Sequence, residues 1–280
     1  MTPSSNPLRK HFRQPAIYLR LPSGGKFYPP EALDMPPNQE LPVFPMTALD
    51  EIITRTPDAL FNGTATVELI RSCIPNIRDP WWIPATDLNS ILVAMRVASY
   101  GHDIEINTTC PKCQHEHRFD LDLRRILDNL KSPNYDEPLI FGDLTLYFAP
   151  LSYKIMNDIN IAQFEDQKIT QVIDNSDLSD KEKLAKMSEA MRRISHLTLV
   201  TVANSISAVK TQDAMVTEKN HIVEFLENCD KQKFTKIKDH VISLRSNTDF
   251  KPLEITCANC SNHYKQDFTL DQTSFFETVS

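Results

Sequence analysis

A chain of 280 residues with 41% apolar and 24% charged side chains has enough apolar mass for one large or two small globular domains. Its formal charge of −7 removes the general electrostatic attraction that nucleic-acid binding requires. No run approaches the roughly 18 apolar residues of a membrane span. Arg9, Lys10 and Arg13 are followed by no apolar stretch of the kind a secretory signal carries, so the expectation is assembly in the cytoplasm with no membrane partner. Only five glycines are present and neither G-x-G-x-x-G nor G-x-x-x-x-G-K occurs, which argues against a phosphate-cradling loop.

Proline opens the chain. Fourteen of the 19 prolines lie at or before Pro84, and the segment Met1–Pro30 carries five Lys/Arg and no acid. Such composition favours extended backbone without a core of its own, either a flexible tail or an arm along a neighbouring subunit. Phe12, Ile17, Tyr18, Leu21, Phe27 and Tyr28 are too apolar for an idle tail and are read as partner-binding residues. Short helices are expected next: Leu49–Thr54, capped by Thr47 with Asp50 and stopped at Asn62–Gly63, then Val67–Cys73. D-P-W-W-I-P at Asp79–Pro84 reads as a rigid turn whose Trp81 and Trp82 anchor a core or an interface. Thr86 is expected to cap a helix over Asp87–Ser99 that ends at Gly101.

Asp103–Thr109 alternates as a strand with Ile104 and Ile106 on one side, enters Cys110-Pro-Lys-Cys113 and leaves through Arg118–Leu121. A short helix over Leu123–Leu130 follows. Gly142–Asp143 then joins strands Leu139–Phe141 and Leu144–Phe148 through a two-residue turn of type II′. Long helices are expected over Tyr153–Asp174 and from the capping box Ser179-x-x-Glu182 to about Ser207. Two more cover Glu218–Cys229 and Gln232–Arg245, with Ile222, Phe225, Leu226, Phe234, Ile237, Val241 and Leu244 facing a core. Leu253–Thr256 returns to strand, enters Cys257-Ala-Asn-Cys260 and leaves through Tyr264–Phe268, before a short helix near Gln272–Glu277.

Both C-x-x-C pairs therefore sit in the order strand, knuckle, strand, and two facing knuckles supply the four thiolates of a tetrahedral site. The pattern reads as a zinc ribbon with one structural Zn2+ per chain on Cys110, Cys113, Cys257 and Cys260, interrupted by a long insertion. Closing that loop costs roughly 4–5 kcal/mol of chain entropy. Structural zinc contributes on the order of 10–16 kcal/mol, so the metal wins. A thioredoxin-like redox pair opens a helix, whereas these pairs continue into strand sequence. His115, His117 and His263 remain candidates to replace a cysteine. Gln114 and Ser261 stand where a glycine often follows the second cysteine, which predicts less regular turns. Cys73 and Cys229 read as reduced core residues.

No catalytic constellation stands out. Ser23 in L-P-S-G-G lacks the G-x-S-x-G frame. Asp58, Glu68 and Asp87 read as helix-start or surface acids, and Ser195–His196 as a packed pair on a helix. The expectation is that the protein is not an enzyme.

The runs L-P-S-G-G-K-F-Y-P, L-P-V-F-P-M-T-A-L-D-E, T-P-D-A-L-F-N-G and I-R-S-C-I-P-N-I-R-D-P, followed by the strand into C-P-K-C, resemble contractile-tail bacteriophage baseplate proteins related to the T-even hub or assembly subunit. The resemblance covers about Leu21–Leu123 and implies a virion protein acting with other baseplate proteins, in several copies of a symmetric assembly. It brings no catalytic residues. The expected fold is α+β and mostly helical, with zinc-ribbon-like β knuckles, a long helical insertion and an extended N-terminal arm. Its segments are an arm (1–30), a helical segment with the first knuckle and hairpin (31–151), the insertion (152–247) and the second knuckle (248–280). Three functions fit: a baseplate structural subunit, a transient assembly chaperone absent from the mature particle, or a nucleic-acid-binding zinc ribbon. The third is disfavoured because Glu105, Glu116, Asp120, Asp122, Glu254 and Asp267 outnumber Lys112, Arg118 and Lys265 around the knuckles.

Overall fold

Short strands punctuated by proline and helices closed by capping residues give an α+β architecture. The computed structural model describes residues 6–54, 63–174, 179–246 and 250–268. Its described helices are α1 (Ala48–Thr54), α2 (Thr64–Cys73), α3 (Ala85–Tyr100), α4 (Leu123–Asn129), α5 (Tyr153–Asp174), α6 (Asp180–Ser205), α7 (Lys219–Asn228) and α8 (Lys231–Ser246). The strands are β1 (Ile17–Leu19), β2 (Leu41–Val43), β3 (Asp103–Thr109), β4 (Glu116–Asp122), β5 (Leu139–Phe141), β6 (Leu144–Phe148), β7 (Ile206–Lys210), β8 (Met215–Val216), β9 (Leu253–Thr256) and β10 (His263–Gln266). All pair antiparallel, as three two-stranded sheets (β1–β2, β3–β4, β9–β10) and one four-stranded sheet in the order β5–β6–β7–β8.

The chain divides into two compact units. The first comprises 1–80, 87–130 and 250–280; the second comprises 81–86 and 131–249. In the first, the apolar faces of α2 and α3 supply Ile70, Cys73, Ile91, Leu92 and Met95, all almost fully buried, and α2 packs against α1. Thr47 and Asp50 cap α1 reciprocally, the Thr47 N–H donating to Asp50 at 2.7 Å and the Asp50 N–H to the Thr47 hydroxyl at 3.2 Å. Gly63 sits at φ +75° as the entry residue of α2; the stop expected at Asn62–Gly63 falls partly outside the described residues, which omit 55–62.

The N-terminal segment is not a free arm from Arg13 onward. The Arg13 guanidinium donates to the carbonyls of Pro45 (2.6 Å) and Ser72 (2.8 Å) and pairs with Asp50 at 3.3 Å. β1 then pairs with β2, and Leu19 and Leu21 are buried. Arg13 finds partners 32 to 59 residues downstream, a distance over which local composition carries no signal. The short helix expected near Gln272–Glu277, at the other end of the chain, lies outside the described residues.

In the second unit, Leu146, Phe148, Val202, Ile206, Ile222, Leu226, Ile237 and Val241 belong to one buried cluster, with Phe225 and Phe234 partly buried against it. The expected core residues of α7 and α8 are thus in place. Gly142 has φ +60° while Asp143 does not have positive φ, as a type II′ turn requires. The expected run of helix to Ser207 was too long: the chain leaves α6 at Ser205 and continues at once as β7, which pairs with β6. Residues 152–247, expected to be helical, therefore also contribute strands β7 and β8 to the four-stranded sheet. Thr86 is not the cap of α3 but lies inside its first turn, with its hydroxyl buried.

Candidate metal centre

Two hairpins of the first unit build the site. In each, strand pairing closes on the residues flanking a six-residue knuckle: Thr109 opposite Glu116 around 110–115, and Thr256 opposite His263 around 257–262. The backbone bonds repeat from one knuckle to the other. Cys110 N–H donates to the His115 carbonyl (3.0 Å) and Gln114 N–H to the Cys110 carbonyl (2.9 Å). Likewise, Cys257 N–H donates to the Asn262 carbonyl and Ser261 N–H to the Cys257 carbonyl, both at 2.9 Å. Gln114 (φ +57°) and Ser261 (φ +55°) take the left-handed conformation that glycine ordinarily supplies, so the turns are regular despite the missing glycines.

The four sulfurs of Cys110, Cys113, Cys257 and Cys260 lie within 4.8 Å of one another. Cys110 and Cys260 Sγ are 3.7 Å apart, and Cys113 and Cys257 Sγ 3.6 Å apart. Disulfide sulfurs stand at about 2.0 Å, and all six cysteines are free thiols. Four thiolates at ~2.3 Å from a tetrahedral ion would be separated by ~3.8 Å, close to the spacing seen. The donor set therefore fits a dication with a closed tetrathiolate shell.

The sulfurs do not ionise independently. Burial raises the Cys110 thiol, but the backbone N–H groups of Cys113 and Lys112 outweigh it and hold the thiol down to about 6. The His115 backbone is the largest influence lowering Cys113. At Cys260 the Asn262 backbone also lowers the thiol, yet burial and contact with the other three sulfurs push it up to about 12. The opposite directions follow from one cause: four touching sulfurs cannot all carry negative charge without a cation among them.

No histidine joins the cluster. His117 Nε2 lies 2.9 Å from the Tyr264 hydroxyl and His115 stacks on the His117 ring. The His263 ring faces the Thr256 hydroxyl through Nδ1 at 2.9 Å. Tyr264 also meets the buried Thr108 hydroxyl at 2.9 Å, so a Thr108–Tyr264–His117 seam joins the hairpins. The side-chain amides of Asn259 and Asn262 point at Cys113 and Cys110 Sγ, at 3.7 and 3.9 Å. These supporting residues were missed in sequence, although the alternation Ile104, Ile106, Thr108 places Thr108 on the inner face of β3.

The expected partner-binding residues separate by exposure. Phe12, Tyr18, Phe27 and Trp82 are exposed; Ile17, Tyr28 and Trp81 are half-buried. Leu21 is a core residue, 6% exposed, and so offers no contact surface. Trp81 stacks on Tyr153 with ring centroids 5.5 Å apart. Cys73 is buried, and burial pushes its thiol up to about 12, with the Asp50 charge adding to the effect; Cys229 is only half-buried at the end of α7.

Ser195 and His196 are both exposed rather than packed, the Ser195 hydroxyl bonding back to the Met191 carbonyl. Asp58 lies outside the described residues. Asp87 opens α3 as expected but is fully buried, accepting from Ser23 N–H at 2.8 Å, Ser23 Oγ at 2.5 Å and the Tyr28 hydroxyl at 3.1 Å. That arrangement pins the Ser23–Tyr28 loop to α3.

Fold and site together define an α+β protein in which paired β-hairpins gather four cysteines compatible with a metal site. Over residues 45–277 the chain matches the family described as T4 bacteriophage base plate protein, and it belongs to that family. The family implies a place in the virion tail and interaction with other phage tail proteins. No curated protein and no solved structure matches the chain.

Proposed function

We propose that this chain is a structural subunit of a contractile-tail baseplate that joins neighbouring subunits through protein–protein contacts, its fold held by one zinc ion on Cys110, Cys113, Cys257 and Cys260. Family membership over residues 45–277 carries the baseplate reading. The spacing of the four sulfurs supports the zinc. A tetrathiolate shell leaves no open coordination position, which favours a structural over a catalytic ion. When bound, the ion supplies the charge that lets all four thiolates coexist. Phe12, Tyr18, Phe27 and Trp82 are exposed aromatics available as contacts to other baseplate proteins.

Two measurements test the two halves separately. Elemental analysis of protein purified without added metal is expected to give one zinc per chain, lost in Cys110→Ser/Cys257→Ser; full zinc in that variant rejects the site. Mass spectrometry of purified tails is expected to find the chain in finished particles. Its consistent absence there would assign it instead to transient assembly.

A further inference from the structure

The two knuckles match position for position: Cys110, Lys112, Cys113 and His115 of the first correspond to Cys257, Asn259, Cys260 and Asn262 of the second. Their backbone support is also the same. Cys110 and Cys257 are both buried, whereas Cys113 and Cys260 are both half-buried. Cys113 and Cys260 each feel the backbone of the residue two positions on, His115 and Asn262. Side chains break this symmetry. Asn259 Nδ2 lies 3.7 Å from Cys113 Sγ and Asn262 Nδ2 lies 3.9 Å from Cys110 Sγ, so both amides cross to sulfurs of the opposite knuckle. No such donor crosses the other way. Lys112 and His115 hold the corresponding places in the first knuckle, and the His115 ring stacks on His117 instead. Among the described residues, Cys257 and Cys260 Sγ meet no side-chain partner other than Cys113 and Cys110.

Four thiolates around one dication leave a net negative charge, and each sulfur keeps lone pairs that accept N–H donors. A donated N–H draws electron density from the sulfur. It favours the thiolate as a ligand and weakens it as a nucleophile. An asparagine amide suits this task because it is neutral and does not titrate, and an accepting sulfur selects its NH2 end. We propose that Asn259 and Asn262 are positioning residues of the metal centre: their amides shield the thiolates of the first knuckle and leave Cys260 as the corner at which an electrophile opens the site. This deepens the zinc reading and rests on it.

Cys260 is singled out by elimination within the cluster. Cys110 and Cys257 are buried, and Cys113 carries the amide. Cys113 and Cys260 therefore form a matched pair, alike in burial and in backbone support and different by one side-chain donor. With an alkyl halide, the Cys260 sulfur forms a bond to carbon while the carbon–halogen bond breaks and halide leaves. The thioether that remains is neutral, so the shell is reduced to three thiolates and holds the ion less tightly.

Single-hit alkylation tests this. The full-length chain, purified with added zinc, is treated with less than one equivalent of iodoacetamide, and chains carrying one label are mapped by peptide mass spectrometry. Zinc content is measured on the same sample. Cys260 is expected to label at least about threefold faster than Cys113. Asn259→Ala brings Cys113 up to the rate of Cys260; Asn259 is exposed, so the variant keeps its fold. Asn259→Asp does the same, because it keeps the shape of the side chain but has no N–H. A side chain that merely covered Cys113 would still protect it in N259D. Asn262→Ala is expected to lose zinc to a chelator about tenfold faster than the natural chain. Equal labelling of Cys113 and Cys260, protection retained in N259D, or an unchanged rate of zinc loss in N262A overturns the proposal while the zinc reading stands. A chain that holds no zinc overturns both.

Discussion

Asp87 illustrates how a residue of ordinary helix-start type becomes a buried anchor. Burial pushes its carboxyl up to about 6, although the Ser23 and Tyr28 hydrogen bonds pull the other way. Burial also raises the Tyr28 hydroxyl far above its ordinary value, and the Asp87 charge adds to this, so the phenol stays a donor. With the folded-state value above the unfolded one, the native state binds more protons than the unfolded state between about pH 4 and pH 6. The contribution of Asp87 is therefore most favourable below about pH 4 and declines as pH rises through about 6. Asp87→Asn removes that titration. The stability of the natural chain relative to the variant is expected to fall from pH 4 to pH 6 and level off above, measured by denaturant titration at each pH. A difference that rises over this interval would show the carboxylate to be stabilised, not penalised, by its surroundings.

At the scale of elements, the two knuckle hairpins perform the same local act with different sequences. Each closes with the N–H of the first cysteine on a carbonyl five residues on, and each needs left-handed backbone just after the second cysteine. Gln114 and Ser261 adopt it at a cost of roughly 1–2 kcal/mol that glycine avoids, partly offset because glycine is more disordered when unfolded. Gln114→Gly is expected to be neutral or stabilising by up to about 1 kcal/mol, and Gln114→Val destabilising by about 1–2 kcal/mol. Denaturant midpoints measured with added zinc check the order; valine tolerated as well as glycine would mean that the turn relaxes. The β6–β7 pairing carries a further lesson. A helix-period stripe runs straight into Ile206–Lys210, and the change to strand is set by a partner 58 to 65 residues upstream.

For the whole molecule, the four-cysteine cluster and the core of the second unit are separate sources of order. The cysteine cluster belongs wholly to the first unit, and the buried cluster around Ile206, Ile222 and Ile237 wholly to the second. If the proposed zinc is bound, removing it should thus act unevenly. Chelation under reducing conditions is expected to expose the backbone amides of Asp103–Asp122 and Leu253–Gln266 to hydrogen exchange. Amides of Lys219–Ser246 should keep their protection, because their burial needs no ion. Simultaneous loss of protection in both regions would show that the units fold as one cooperative body, and retention in both would show that the hairpins hold without metal.

Local chemistry was sufficient for much of this. Capping at Thr47 and Ser179, the Gly142–Asp143 turn, the exact span Tyr153–Asp174 and the matching surroundings of the cysteine pairs all depend on residues a few positions apart. Such short-range preferences are legible in a single sequence, and so was the family resemblance. Tertiary structure decided what required partners far away in the chain. It tied Arg13 to Ser72, buried Asp87 beneath Ser23 and Tyr28, turned Ile206–Lys210 into a strand, and joined the hairpins through Thr108, Tyr264 and His117. Each of these stabilises polar groups only after distant segments meet, and residue type alone does not say which segments those are.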